Sequence, residues 1–293
     1  CDSGIAQFGW MLGCVLDGLH ALHQQSGEQR FHAALERYLG HFLNDAGVDF
    51  ENPRNQIAVN DFHSIELTLP MAVISQLYPD HPALDLSLNF LCSRRRENGL
   101  IYDGASITAE GCYTIAYPLM CIGVQRQDQE LIDWSWQQLD IRRDALWLDD
   151  GIYLRNYDGD KSFHHWARGV CWYFLGLVRT QIVSQQKPSA ERLAHIQEIA
   201  AYVAGHQGGR GMWYNFFEDA DKPIDSSGSA GIACALALAV KHDWLDDTYA
   251  ARARRCFDAL KEHLVDGGFM SCVAPNNKRG EDYQRGEKRN CEP

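Results

Sequence analysis

The stretch HHWARGVCW, residues 164–172, sets His164, His165, Trp166, Arg168 and Trp172 at the mouth of an otherwise apolar helix. Helices ordinarily open with small capping residues and carboxylates, which answer free amides and the positive end of the macrodipole. Flat aromatic faces and a fixed cation suit instead a ligand with a surface to stack on and a negative charge to pair. Four other segments mix aromatics with carboxylates or arginines: VDFENPRNQIAVNDFHS with Asp61, RENGLIYDGASITAEG with Glu110, WLDDGIYLRNYDGDKSFHHWARG with Arg155, and GGRGMWYNFFEDADKPIDSSGS with Trp213 and Tyr214. Carboxylates for hydroxyls and proton transfer, beside aromatic faces for stacking, make a composition suited to sugar.

No metal is expected at these residues. His164 and His165 are adjacent, and neighbouring side chains ordinarily point to opposite sides of a backbone. No second ligand pair lies near them in the sequence. DDGIYLRNYDGDK carries carboxylates but lacks the spaced ligands and closing glutamate of a calcium loop. No other cofactor is expected.

The elements that must position these residues read as helices. Five segments repeat one layout: an apolar helix, a short polar turn and a second, amphipathic helix, starting roughly 45 to 65 residues apart. In the first pair, Phe31, Leu35, Tyr38 and Phe42 follow helical spacing. The first members, FGWMLGCVLDGLHAL, IELTLPMAVISQLY, YTIAYPLMCIGV, GVCWYFLGLV and SAGIACALALAV, are apolar nearly all round, as buried helices are. Inner helices each backed by an outer one describe an all-α (α/α) barrel, with an open solenoid as the competitor. Six pairs close such a barrel, so ten countable helices leave one element absent or irregular at each end. The expected domain is single, 1–293. Strand alternation is scarce, and the polar tail APNNKRGEDYQRGEKRNCEP reads as coil.

Composition narrows the partners. A net charge of −12 argues against nucleic acid and anionic membranes. It leaves room for a small anionic substrate, since a local arginine pair reverses the field within one pocket. No run approaches the ~18 apolar residues of a membrane span, and the opening CDSGIAQFGW reads as a helix entered almost at once, without the layout of a signal peptide. The 10 cysteines form no CxxC pair, and Cys14, Cys171 and Cys234 sit inside apolar runs. A disulfide framework is not expected, which favours a reducing cytoplasm. Oligomeric state is not legible.

Over nearly its whole length the chain resembles glycoside hydrolase families 88 and 105, the unsaturated uronyl hydrolases. HHWARGVCW resembles the family segment H-x-W-x-R-G-x-x-W, which keeps Trp166, Arg168 and Trp172. AVNDFHSIELTLPMAVISQLY resembles the segment of the first active-site aspartate, at Asp61. GLIYDGASITAEGCYTIAYPL resembles that of the principal catalytic aspartate, which falls on Glu110, and DSSGSAGIACALALA resembles a late serine-rich helix start. The chain departs from the pattern at Glu110, at Thr108 where the family has tryptophan, and at Arg155 where it has histidine. The resemblance implies an (α/α)6 barrel.

It also implies a substrate, a small anionic oligosaccharide whose terminal uronic acid carries the C4=C5 double bond left by a polysaccharide lyase. An acid protonates C4, water adds at C5, and the resulting hemiketal opens to release the next sugar. Glu110 is the candidate acid/base, its apolar neighbours expected to raise its pKa; the alternative is a helix-opening glutamate favoured by the dipole. Asp61 is the candidate for holding a hydroxyl or the water, or else an N-cap. Arg168 and Arg155 are candidates for the substrate carboxylate, with a surface role open for Arg155. Trp166, Trp172, His165 and Trp213 complete the binding set, with a core role open for Trp172. Two other classes remain: another (α/α)-barrel carbohydrate enzyme, such as an epimerase or conventional glycosidase, and a non-catalytic sugar-binding relative.

Overall fold

A computed structural model describes residues 7–51, 57–148, 151–220, 223–275 and 277–285. The chain divides into two compact units, residues 1–103 with 113–139, and 104–112 with 140–293. Parts of three candidate loops, Cys1, Cys291 and the end of the tail lie outside the described residues.

In the first unit, α1 (Trp10–Ser26) packs on α2 (Gln29–Leu39) and α3 (Met71–Leu77); α3 also packs on α4 (Pro82–Arg94) and α5 (Tyr117–Arg126). Helical spacing delivers the core: Leu12 and Leu16 on α1 and Leu35 and Leu39 on α2 are buried with Ile74, Leu84 and Leu119. Proline shapes two expected inner helices. Ile65–Thr68 is a short 3₁₀ turn, and α3 starts only after Pro70, which lacks an N–H and crowds the preceding turn. Cys112–Ala116 forms a π turn ahead of α5. Pro118 cannot donate to the Thr114 carbonyl four residues back, and the Thr68 hydroxyl donates to it instead. Ser135 likewise serves the Ala116 carbonyl at 2.7 Å. A short sheet orders β1 (Leu43–Asn44), β2 (Gly47–Glu51) and β3 (Ile57–Val59).

Helix α6 (Gln129–Leu146) starts in the first unit and ends in the second. The second unit holds α7 (Ala167–Val183), α8 (Ala190–Gly205), α9 (Ser226–Lys241) and α10 (Asp247–Lys261), with α9 packed on α7 and α10. Every residue of α7 from Ala167 to Val178 is buried, as its all-round apolar sequence predicts. Side-chain caps open α8 at Ser189, α9 at Asp225 and α10 at Asp246.

The expected helical pairs are all present, but the loops hold more strand than expected. In the second unit, β4 (Ile107–Thr108), β5 (Trp147–Leu148), β6 (Gly151–Tyr157) and β7 (Asp160–His164) form one antiparallel sheet around β6. The β6–β7 hairpin turns at Asp158 and Gly159, with φ of 49° and 91°. Positive φ at both central residues is the geometry that Asp-Gly supplies. A second hairpin pairs β8 (Leu264–Val265) with β9 (Phe269–Met270). The tail is not coil in its described part: Asn277–Arg279 is a 3₁₀ turn and α11 spans Glu281–Arg285.

Eight cysteines among the described residues are free thiols. No helix among the described residues is long and apolar enough to cross a membrane.

Candidate active site

Glu110 opens the helix that runs through the π turn into α5, and it is partly buried. Pairing of β4 with β6 places Thr108, two residues before it, opposite Arg155. π turns are rare and concentrate at functional sites. The missing Cβ of Gly111 leaves room that the Arg142 guanidinium occupies; a Cβ there would lie 2.2 Å from Nη2. Arg142 is fully buried on α6 and donates through Nε to the Thr108 carbonyl at 3.0 Å. The sequence reading missed it. The signal was its spacing from Leu139 and Leu146, which puts a cation on the buried face of an amphipathic helix.

The carboxylate of Glu110 accepts a hydrogen bond from Asn277 Nδ2 at 2.9 Å. Three residues earlier in the same segment, the Ala274 carbonyl accepts from Arg168 Nη2. Arg168 is buried on α7, lies 5.4 Å from the Trp166 ring centroid, and donates through Nε to Ser227 Oγ at 3.2 Å. Ser227 passes its own proton to Asp225 Oδ1 at 2.7 Å, the same oxygen that caps α9 and accepts from the Ala274 amide. One short segment therefore touches the candidate acid and the candidate carboxylate-binding cation. Three residues of chain span at most about 11 Å.

The other candidates divide. Arg155 is half-buried, its guanidinium 5.6 Å from the Phe163 ring centroid. Trp166 and Trp213 lie in the interior. Both rings are buried, 1 % and 0 % exposed, with their N–H groups given to Asn215 Oδ1 at 3.0 Å and the Val203 carbonyl at 2.7 Å. Trp172 is buried in α7. Asp61 belongs to the first unit, is exposed, and has His63 Nδ1 3.6 Å from its carboxylate. The cap of the following turn is Ser64, not Asp61.

His165 is buried, with Nδ1 at the Tyr202 hydroxyl and Nε2 2.8 Å from Glu218 Oε1. The rule that adjacent side chains diverge fails here. Phe163 and His165 take φ of 58° and 57°, and the His164 and His165 rings meet at 3.5 Å between centroids. Left-handed backbone at bulky residues costs roughly 1–3 kcal/mol each. A half-exposed ion pair such as His165–Glu218 returns about 0–1 kcal/mol, so the pair alone does not offset the strain.

A separate cleft of about 590 Å³ is lined by Arg143, Asp144, Trp147, Glu191, Ala194, His195 and Glu198. Three carboxylates against one arginine make it acidic, and none of the sequence-derived candidates lines it. It is the wrong sign for an anionic sugar.

The chain belongs to Glycosyl Hydrolase Family 88, whose model matches residues 3–293, and is a glycoside hydrolase acting on carbohydrate. Among solved structures it is similar to a possible GH105 member from Salmonella enterica subsp. enterica serovar Paratyphi A str. ATCC 9150. That match has 16 % identity and TM-score 0.83, over 98 % of this chain and 79 % of that one. It is also similar to a family 105 glycoside hydrolase of C. acetobutylicum, at 16 % identity and TM-score 0.78 over 92 % and 82 %. A third is the unsaturated glucuronyl hydrolase of Bacillus sp. GL1, at 19 % and 0.65 over 94 % and 81 %. These likenesses place the fold in the (α/α)6 barrel class expected from the helical repeat.

Proposed function

We propose that the chain removes a terminal 4,5-unsaturated uronic acid from lyase-made oligosaccharides by hydrating the C4=C5 bond. The observation that carries this reading is the segment 274–277, which bonds to Arg168 at one end and to Glu110 at the other. A fixed cation and a carboxyl tied to one short segment suit a substrate that carries a carboxylate and must be given a proton. The resemblance at HHWARGVCW and the similarity to an unsaturated glucuronyl hydrolase support the same substrate class.

In this reading Arg168, with Arg155, pairs with the uronate carboxylate. Glu110 gives a proton to C4 and takes one from the water that adds at C5. The hemiketal then opens and the aglycone leaves. One carboxyl suffices, unlike hydrolysis at the anomeric carbon, which uses two.

The conjugated double bond absorbs in the near ultraviolet, and hydration removes the band. Oligosaccharides freshly cut by a polysaccharide lyase should lose that absorbance with the chain present, with release of the shortened sugar. Cleavage of saturated glycosides with the band intact overturns the proposal.

A further inference from the structure

We infer that His164, His165 and Glu218 form a binding site for a divalent transition-metal ion of the zinc, cobalt or nickel type. The potential ligand atoms of the three residues all lie within 4.8 Å of one another. Glu218 Oε1 is 2.8 Å from His165 Nε2 and 4.0 Å from His164 Nδ1. Bonds of about 2.0–2.2 Å to nitrogen and oxygen set neighbouring ligand atoms about 3.4 Å apart in a tetrahedron. Only small side-chain adjustments separate the observed arrangement from that one.

The surroundings are built for these rings. A Cβ on Gly151 would sit 2.6 Å from His165 Cε1 and 2.8 Å from the Tyr202 hydroxyl, and its φ of +143° is one that few other residues take. Tyr202 meets His165 Nδ1, so on metal binding Nδ1 can carry the proton and donate it to the Tyr202 oxygen while Nε2, which lies against Glu218, turns to the ion. A second partner of this kind fixes the tautomer of metal-binding histidines. Tyr153 stacks on His164 at 4.2 Å, 21° from parallel, and holds that ring. Arg285, whose Nη2 reaches the His164 carbonyl, is paired with Asp219 and Glu281 and so presents little net charge to an incoming cation.

An ion pair explains His165 with Glu218 but leaves the strained turn and the convergence of His164 unexplained. A metal explains all three. Imidazole nitrogen selects transition metals over calcium or magnesium. Glu218, half-exposed, marks the solvent side, where water or a ligand fills the remaining positions.

The test reads metal, not turnover, and so is independent of the hydrolase reading. The full chain is stripped with chelator, dialysed, and titrated with Zn²⁺ by calorimetry and with Co²⁺ by visible absorption. One equivalent should bind, with ligand-field bands of nitrogen and oxygen coordination. Glu218→Gln and His164→Ala should each weaken binding by at least about tenfold, the loss that even an outer partner of a ligand causes. Glu218 is half-exposed, so its variant should keep the wild-type circular dichroism. Absence of stoichiometric binding, equal affinity in both variants, or thiolate charge-transfer bands overturns the inference.

Discussion

Replacing Glu110 by glutamine changes the fewest things while removing the one that matters to the proposed chemistry. The glutamine amide oxygen can still accept from Asn277 Nδ2, now at 2.9 Å, so local structure should persist. With that bond kept, the stability change should stay below about 1 kcal/mol, a shift of a few degrees at most for a chain of this size. What glutamine cannot do is give a proton to C4. Positioned acids and bases contribute about 10²- to 10⁴-fold, so kcat should fall by that factor, roughly 3 to 5.5 kcal/mol of barrier at 1.36 kcal/mol per decade. Aspartate at the same position supplies the complementary comparison. It keeps the acid but withdraws it by about 1.5 Å, one carbon–carbon bond, and breaks the Asn277 contact. Its kcat should lie between wild type and glutamine. The assay is the decay of ultraviolet absorbance on lyase-cut oligosaccharide, with melting temperature measured in parallel. A glutamine variant within tenfold of wild type would refute the assignment of the acid to Glu110, whatever becomes of the substrate class.

Arg168→Ala should raise KM by about 30-fold or more, the ~2 kcal/mol expected for losing a buried charge partner. It should also lower stability by about 1–3 kcal/mol by stranding the Ala274 carbonyl; unchanged KM removes Arg168 from the site. His195 is buried beside Trp147 and Tyr173, and desolvation holds its pKa below the ordinary value despite the Glu198 carboxylate. The unfolded chain then binds this proton more tightly. Stability should fall as pH drops below about 6.5, with a slope of up to ~1.4 kcal/mol per unit. Denaturation at two pH values should show a shallower slope for His195→Gln, and identical slopes reject the reasoning. Burial pushes the Cys112 and Cys256 thiols up to about 12. At pH 8 iodoacetamide should modify exposed Cys92 well before either, as read by peptide mass mapping.

The helical hairpins were legible because their signal is local. Leu12 and Leu16, or Leu35 and Leu39, are buried at the spacing that one helix turn imposes. What reading the apolar runs straight through missed was backbone arithmetic. Pro70 and Pro118 each remove a donor, and the freed carbonyl of Thr114 is answered by Thr68, 46 residues away. The β6–β7 hairpin carries its own signature, Ile152 and Leu154 buried at alternate positions ahead of Asp158-Gly159, which a search for helical periods passes over.

The candidate site was legible by residue type and illegible by direction. Trp166 and Trp213 have the surface a sugar would stack on, yet their indole N–H groups are spent on Asn215 and Val203, partners fixed only by the fold. The tail misled for the same reason. Its polar, glycine-bearing composition resembles coil when read locally. Its polar groups are satisfied at a distance: Asn277 on Glu110, the Glu281 carboxylate on the Phe163 amide, the Gln284 carbonyl on Asn215. Sequence periodicity carries information over a turn or two. The bond between Glu110, the candidate acid, and Asn277, 167 positions later, is a long-range hydrogen bond, and such bonds follow from how the chain packs, not from the order of its residues along any one helix.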